Sequence, residues 1–199
     1  MSDADLKQAL TAYLQTGRDV MLWKLDGLSE YDVRRPLTAT GTNLLGLVKH
    51  LAGVESGYFG FVVGRPFPEP MPWMDRPEPN ADMWATADES RADVVDLYRR
   101  VWAHADETVA AVPLDRRGEV PWWPEERRHP TLHTLLVHVV AETHRHAGHA
   151  DIVRETIDGS AGFRRSNANL PSTEGDWWGA YRDRLERIAR RFGGLTPEA

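Results

Sequence analysis

Residues 131–157 read TLHTLLVHVVAETHRHAGHADIVRETI, a long run free of proline. At 100° per residue, Leu135, Val139, Glu142, His146, His149 and Val153 fall within roughly 60° of one line, which predicts an inward face on one long helix. The Asp158–Gly159 pair supplies its stop. A carboxylate and an imidazole thus lie on the stripe expected to be buried, where an unpaired carboxylate costs several kcal/mol, so something must compensate them. Glu142 and His146 stand at i and i+4, a spacing that lets two side chains converge on one ion. The same spacing suits a plain buried hydrogen-bonded pair, and by itself it does not separate the two.

Three further helices precede this one. Leu6, Leu10, Tyr13, Leu14, Met21, Leu25 and Leu28 recur at a helical period from Ser2 to about Leu28. A second pattern, Leu44, Leu47, Leu51, Val54, Tyr58 and Phe61, follows Thr42 as a plausible N-cap and ends at Gly64, carrying His50. Thr86 and Glu89 form a capping-box pair opening a third helix along Val94, Leu97, Val101, Ala105 and Val112, which Pro113 stops. Between Gly64 and Ala85, prolines at 66, 68, 70, 72, 77 and 79 exclude regular helix. They predict a long loop whose Phe67, Trp73 and Trp84 form either a lid on the bundle's end or a wall of a substrate pocket. A last short helix carries Trp177, Trp178, Tyr181, Leu185, Ile188 and Phe192. The fold class is all-α: a four-helix bundle with long crossover loops and a short C-terminal helix, forming one domain over residues 1–199.

Hydrophobic residues are 41% and charged residues 27% of the 199, the balance of a globular chain. No apolar run approaches the roughly 18 residues of a spanning helix, and the start, MSDADLKQAL, lacks the basic and apolar regions of an export signal. A cytoplasmic protein with no membrane partner is expected. A net charge of −6 argues against a nucleic-acid partner. The basic clusters at Arg127–Arg128 and Arg187–Arg191 read as solvated surface. With no cysteine present, metal ligands must be nitrogen or oxygen and any thiol must come from outside.

His50 sits at the edge of the second helix's apolar stripe, between Leu47 and Val54, and could supply a third ligand across the bundle. Two histidines and a carboxylate with positions left open suit a catalytic divalent site rather than a closed structural one. The strings LLGLVKHLAGVESGYF around His50 and TLLVHVVAETHRHAGHADIVRETIDG around His146 resemble the two halves of the metal site in the DinB-like superfamily. They are closest to its actinobacterial branch, with mycothiol-dependent maleylpyruvate isomerase and the mycothiol S-transferases. The resemblance implies a DinB-like bundle whose ligands are His50, Glu142 and His146, holding zinc or another first-row ion such as nickel. It further implies mycothiol as cosubstrate and an electrophilic small molecule as its target. The isomerase carries an extra C-terminal domain, which the short segment beyond the bundle does not match, so thiol transfer is the reading preferred over isomerisation.

His149, about one turn beyond His146, is the candidate catalytic, proton-handling neighbour, with a second role as a ligand or a core histidine left open. Asp151 reads as an anchor for a basic residue. His138 reads as a packing residue, and His104, His129, His133 and His144 as surface. The tryptophan pairs 122–123 and 177–178 read as core or end-cap aromatics, and Arg145 and Arg154 as surface salt links. Metal-assisted hydrolysis uses the same ligands and would show no thiol requirement. A non-catalytic metal-stabilised binding or stress-response module would show a closed shell and no thiol affinity. A homodimer is compatible with such bundles.

Overall fold

Thr131 caps the decisive helix, its side chain accepting from the Thr134 amide, and Gly159 ends it in the left-handed conformation. The computed structural model describes residues 2–74, 78–172 and 174–193; Pro77 and residues 194–199 lie outside that range. The helices are α1 (Asp3–Trp23), α2 (Glu30–Arg34), α3 (Leu44–Phe59), α4 (Arg91–Ala111), α5 (Leu132–Asp158) and α6 (Gly175–Phe192). α1 packs on α5 and α4, and α3 packs on α4 and α5, which closes α1, α5, α3 and α4 into a four-helix bundle.

Several boundaries differ from the sequence reading. α1 ends at Trp23 rather than Leu28, yet Leu25 and Leu28 still pack on the core from the turn that follows. The cap of α3 is Asn43, not Thr42; its Oδ1 accepts from the Gly46 amide at 2.8 Å. α4 starts four residues later than the Thr86–Glu89 pair suggested, behind a Ser90–Asp93 capping box. Thr86 and Glu89 instead close a turn, with the Thr86 amide donating to Glu89 Oε2. α2 went unread because it has only five residues.

Two apolar clusters fill the bundle. One gathers Met21, Leu47, Leu51, Tyr98 and Val101, the other Leu14, Phe59, Ala105, Leu132 and Val139. Along α1, α3 and α4 a polar layer falls between them. Arg18 and Glu55, both fully buried, pair through Arg18 Nε–Oε1 at 3.0 Å and Nη2–Oε2 at 2.5 Å, and Arg18 also reaches Asp106 at 2.8 Å. Burial works against the Arg18 charge, but the two carboxylates outweigh it and hold the guanidinium firmly protonated.

The proline-rich loop packs on the bundle, as the lid reading expected, and other residues of it border a cavity. Trp73 is buried in the core and Phe67 packs against it, while Met74 and Asp82 line a cavity. α3 and α2 hold the loop: Asn43 Nδ2 donates to Met83 O, Lys49 Nζ to Trp84 O and to Glu89 Oε2, and Arg34 to the carbonyls of Thr86 and Glu89. α6 buries no residue, and Trp177, Tyr181, Leu185, Ile188 and Phe192 are left exposed along one face. The pair 177–178 is therefore not core; its rings pack on each other and on Tyr181.

Candidate metal centre

His50 on α3 and Glu142 and His146 on α5 come together where these two helices pack. Glu142 Oε1 stands 3.0 Å from His146 Nε2 and 3.6 Å from His50 Nε2, and the three donor atoms all lie within 4.8 Å of one another. A tetrahedral ion with bonds of about 2.0–2.1 Å spaces its donors by about 3.3 Å, so the two measured edges straddle the required value. Two imidazole nitrogens and one carboxylate oxygen are donors suited to zinc and to neighbouring first-row ions. The residues fit such an ion.

Asp82 completes the arrangement from the loop. Its Oδ2 lies 2.6 Å from His50 Nδ1. With a proton on Nδ1 donated to that carboxylate, the lone pair on Nε2 faces Glu142, the carboxylate–histidine orientation found behind metal ligands. His146 differs: its Nδ1 is buried with no partner among the described residues. Burial, aided by the nearby His50, pushes the His146 imidazole below its ordinary range and favours the neutral form. Burial also works to raise the Glu142 carboxyl, but hydrogen bonding and charge from His146 and His50 outweigh it and hold the group below the usual carboxylate range.

A cavity of about 400 Å³ opens beside the donors, lined in part by His50, Glu142, Asp82, Met74, Tyr58 and Trp122. His138, read from sequence as a packing residue, also lines it. Its ring meets Tyr58 at 4.8 Å and Trp123 at 5.0 Å between centroids, and burial lowers its pKa. His149 is exposed, where the helical wheel had placed it inward. The buried face of α5 centres on Thr143, His146, Ala147 and Ala150, which leaves His149 at the edge, 5.3 Å from the His146 ring centroid. Asp151 anchors a base as expected, pairing with Lys24 at 2.9 Å. Arg154 binds Asp158 and the carbonyls of Lys24 and Asp26. His144, read as surface, is half-buried with Nε2 3.0 Å from Tyr13 O.

Asp82 and Trp122 escaped the sequence reading as site residues. The signal that could have pointed to Asp82 is Lys49, a lysine inside an apolar run, which needs a polar anchor and draws the loop onto α3.

Fold and donor set define the class: an all-α four-helix bundle with a candidate two-histidine, one-carboxylate centre between two of its helices. Residues 9–159 match the family model described as mycothiol S-transferase. That span is well over half of the chain and contains every residue of the candidate centre, so the chain belongs to this family of enzymes; α6 lies beyond it. No curated protein matches the sequence. No helix among the described residues is long and apolar enough to cross a membrane.

Proposed function

We propose that the chain, acting as one domain, is a metal-dependent thiol transferase. His50, Glu142 and His146 would hold zinc or nickel, mycothiol would be the thiol, and an electrophilic small molecule would receive it. The observation that carries this reading is the convergence of three nitrogen and oxygen donors, two of which, His50 and Glu142, line a cavity large enough for small reactants. Membership of the mycothiol S-transferase family supports the choice of thiol.

A divalent ion bound there supplies positive charge that brings a thiol's pKa down toward neutrality. The protein's own groups do the rest. Asp82 fixes the His50 ring, and the neutral state favoured at His146 presents a lone pair without first losing a proton. The thiol sulfur forms a bond to the electrophilic carbon, and the leaving group departs with the bonding pair. The thiol's proton passes to bulk water through His149, which is exposed and has its ring centroid 5.3 Å from that of His146. A cytoplasmic setting belongs to the same proposal, since a small-molecule thiol must be available in quantity.

The test is elemental analysis of wild type beside Glu142→Ala, followed by calorimetric titration with mycothiol. One equivalent of metal, lost in the variant, with mycothiol binding that vanishes on chelation, is expected. Mycothiol affinity unchanged by chelation would overturn the proposal.

A further inference from the structure

The cavity extends from the donors His50 and Glu142 into an aromatic slot. Its α3 side carries Gly53 and Gly57, one turn apart and without side chains. A Cβ added at Gly57 would find Trp122 Cη2 at 3.8 Å as its nearest neighbour from elsewhere in the fold. At Gly53 it would meet Met74 Sδ at 3.1 Å. Side chains at these two positions would therefore enter the slot.

Trp122 is 55% exposed. Leaving so much indole in water is unfavourable, yet the ring is fastened in place. Its Nε1–H donates to Tyr58 Oη at 3.1 Å, and the Nε1–H of Trp123 donates to the same oxygen at 3.0 Å. Both lone pairs of that hydroxyl are engaged, and its own proton remains to be donated. His138 packs edge-on to Tyr58 on the α5 side. Among the described residues no lysine or arginine lines the slot, and its charged neighbours are the carboxylates of Asp82 and Glu142.

We propose that this slot binds a flat, uncharged aromatic molecule against Trp122, with the Tyr58 hydroxyl donating to a carbonyl or similar atom on it. The role of that molecule as the electrophile rests on the thiol-transfer reading; its binding does not. The room left by Gly53 and Gly57 makes α3 the specificity-determining wall.

The probe is 6-propionyl-2-dimethylaminonaphthalene, a neutral planar dye with a carbonyl whose fluorescence reports an apolar site. It should bind wild type and chelator-stripped protein with similar affinity. Trp122→Ala should weaken binding at least tenfold. Gly57→Ala should weaken it roughly threefold or more while raising the melting temperature by about 2–4 °C, because alanine is the better helix former and its Cβ meets no steric obstacle. A variant that is more stable yet binds less separates loss of room from loss of fold. Wild-type dye affinity in either Trp122→Ala or Gly57→Ala would overturn the proposal. Failure of the thiol-transfer reading would appear elsewhere, as mycothiol affinity independent of metal, and would leave the dye result standing.

Discussion

Replacing Asp82 tests whether the loop behind His50 tunes the centre. Asp82 touches the donor set only through Nδ1 of His50, at 2.6 Å, and its side chain is 34% exposed. Asp82→Ala removes a charge-assisted hydrogen bond and leaves the imidazole free to rotate or to change tautomer. Loss of such an outer partner typically costs 10–100-fold in metal affinity, which corresponds to about 1.4–2.7 kcal/mol. Asp82→Asn keeps an oxygen able to accept from Nδ1–H and loses only the charge, so it belongs near tenfold, with alanine near the upper end. Because the group is partly exposed, the metal-free fold should lose less than about 1 kcal/mol. Zinc affinity measured by competition against a chelating indicator, with melting curves of the stripped proteins beside it, reads both quantities. Wild-type zinc affinity in Asp82→Ala would refute the claim that this carboxylate orients a ligand. A large fall in the stability of the stripped protein would show that Asp82 acts on the fold instead.

Three other perturbations follow from the packing. Glu55→Gln leaves the Arg18 guanidinium, 0% exposed, with only Asp106 as a charged partner. Breaking a buried pair in this way costs about 3–5 kcal/mol and should lower the melting temperature by on the order of 10 °C; a drop of only a degree or two in calorimetry would contradict this. Burial works to raise the Glu89 carboxyl, but Lys49 and the Thr86 amide outweigh it, so its folded pKa lies below the 4.5 of the free group. The stability it contributes is therefore present above pH 4.5 and lost as pH falls through the folded value. Wild type should exceed Glu89→Gln by about 1 kcal/mol at neutral pH in urea titrations, with the gap closing in acid; a gap that widens in acid would be the wrong sign. Gly46→Ala would place a Cβ 1.8 Å from Met83 O, forcing the loop off α3. A roughly tenfold loss of zinc affinity should follow through the neighbouring Asp82, and unchanged affinity would mean that the loop position does not matter.

The parts of the protein legible in the sequence are those governed by a single helix. α5 was readable end to end because nothing breaks its period, Thr131 caps it and Gly159 can take the left-handed conformation that closes it. Glu142 and His146 were readable because i, i+4 spacing fixes their relation before any tertiary contact forms. The start of α4 was misplaced for an instructive reason. Thr86–Glu89 and Ser90–Asp93 both carry a capping signature, and only the second caps: the Glu89 amide donates to the Thr86 carbonyl in a turn, and Glu89 Oε2 is shared by the Thr86 amide and Lys49. His149 was misjudged because the wheel shows which residues share a line but not where neighbouring helices set the centre of the buried arc.

The remainder of the site depends on how α3 grips the loop from Asp82 to Glu89. Asn43, Gly46, Lys49 and His50 lie within two turns of α3, and each meets this segment differently. Asn43 donates to the Met83 carbonyl, and Gly46 leaves the room in which that carbonyl sits. Lys49 holds Trp84 O and the Glu89 carboxylate, and His50 takes Asp82. Lys49 is buried, and the loop supplies the polar partners its ammonium would otherwise lack, so the loop also relieves a cost on the helix. The placement of a carboxylate behind His50 is then a consequence of a register set at Gly46, one turn earlier, and at the adjacent Lys49. Selection on metal binding would therefore act on residues that never approach the ion.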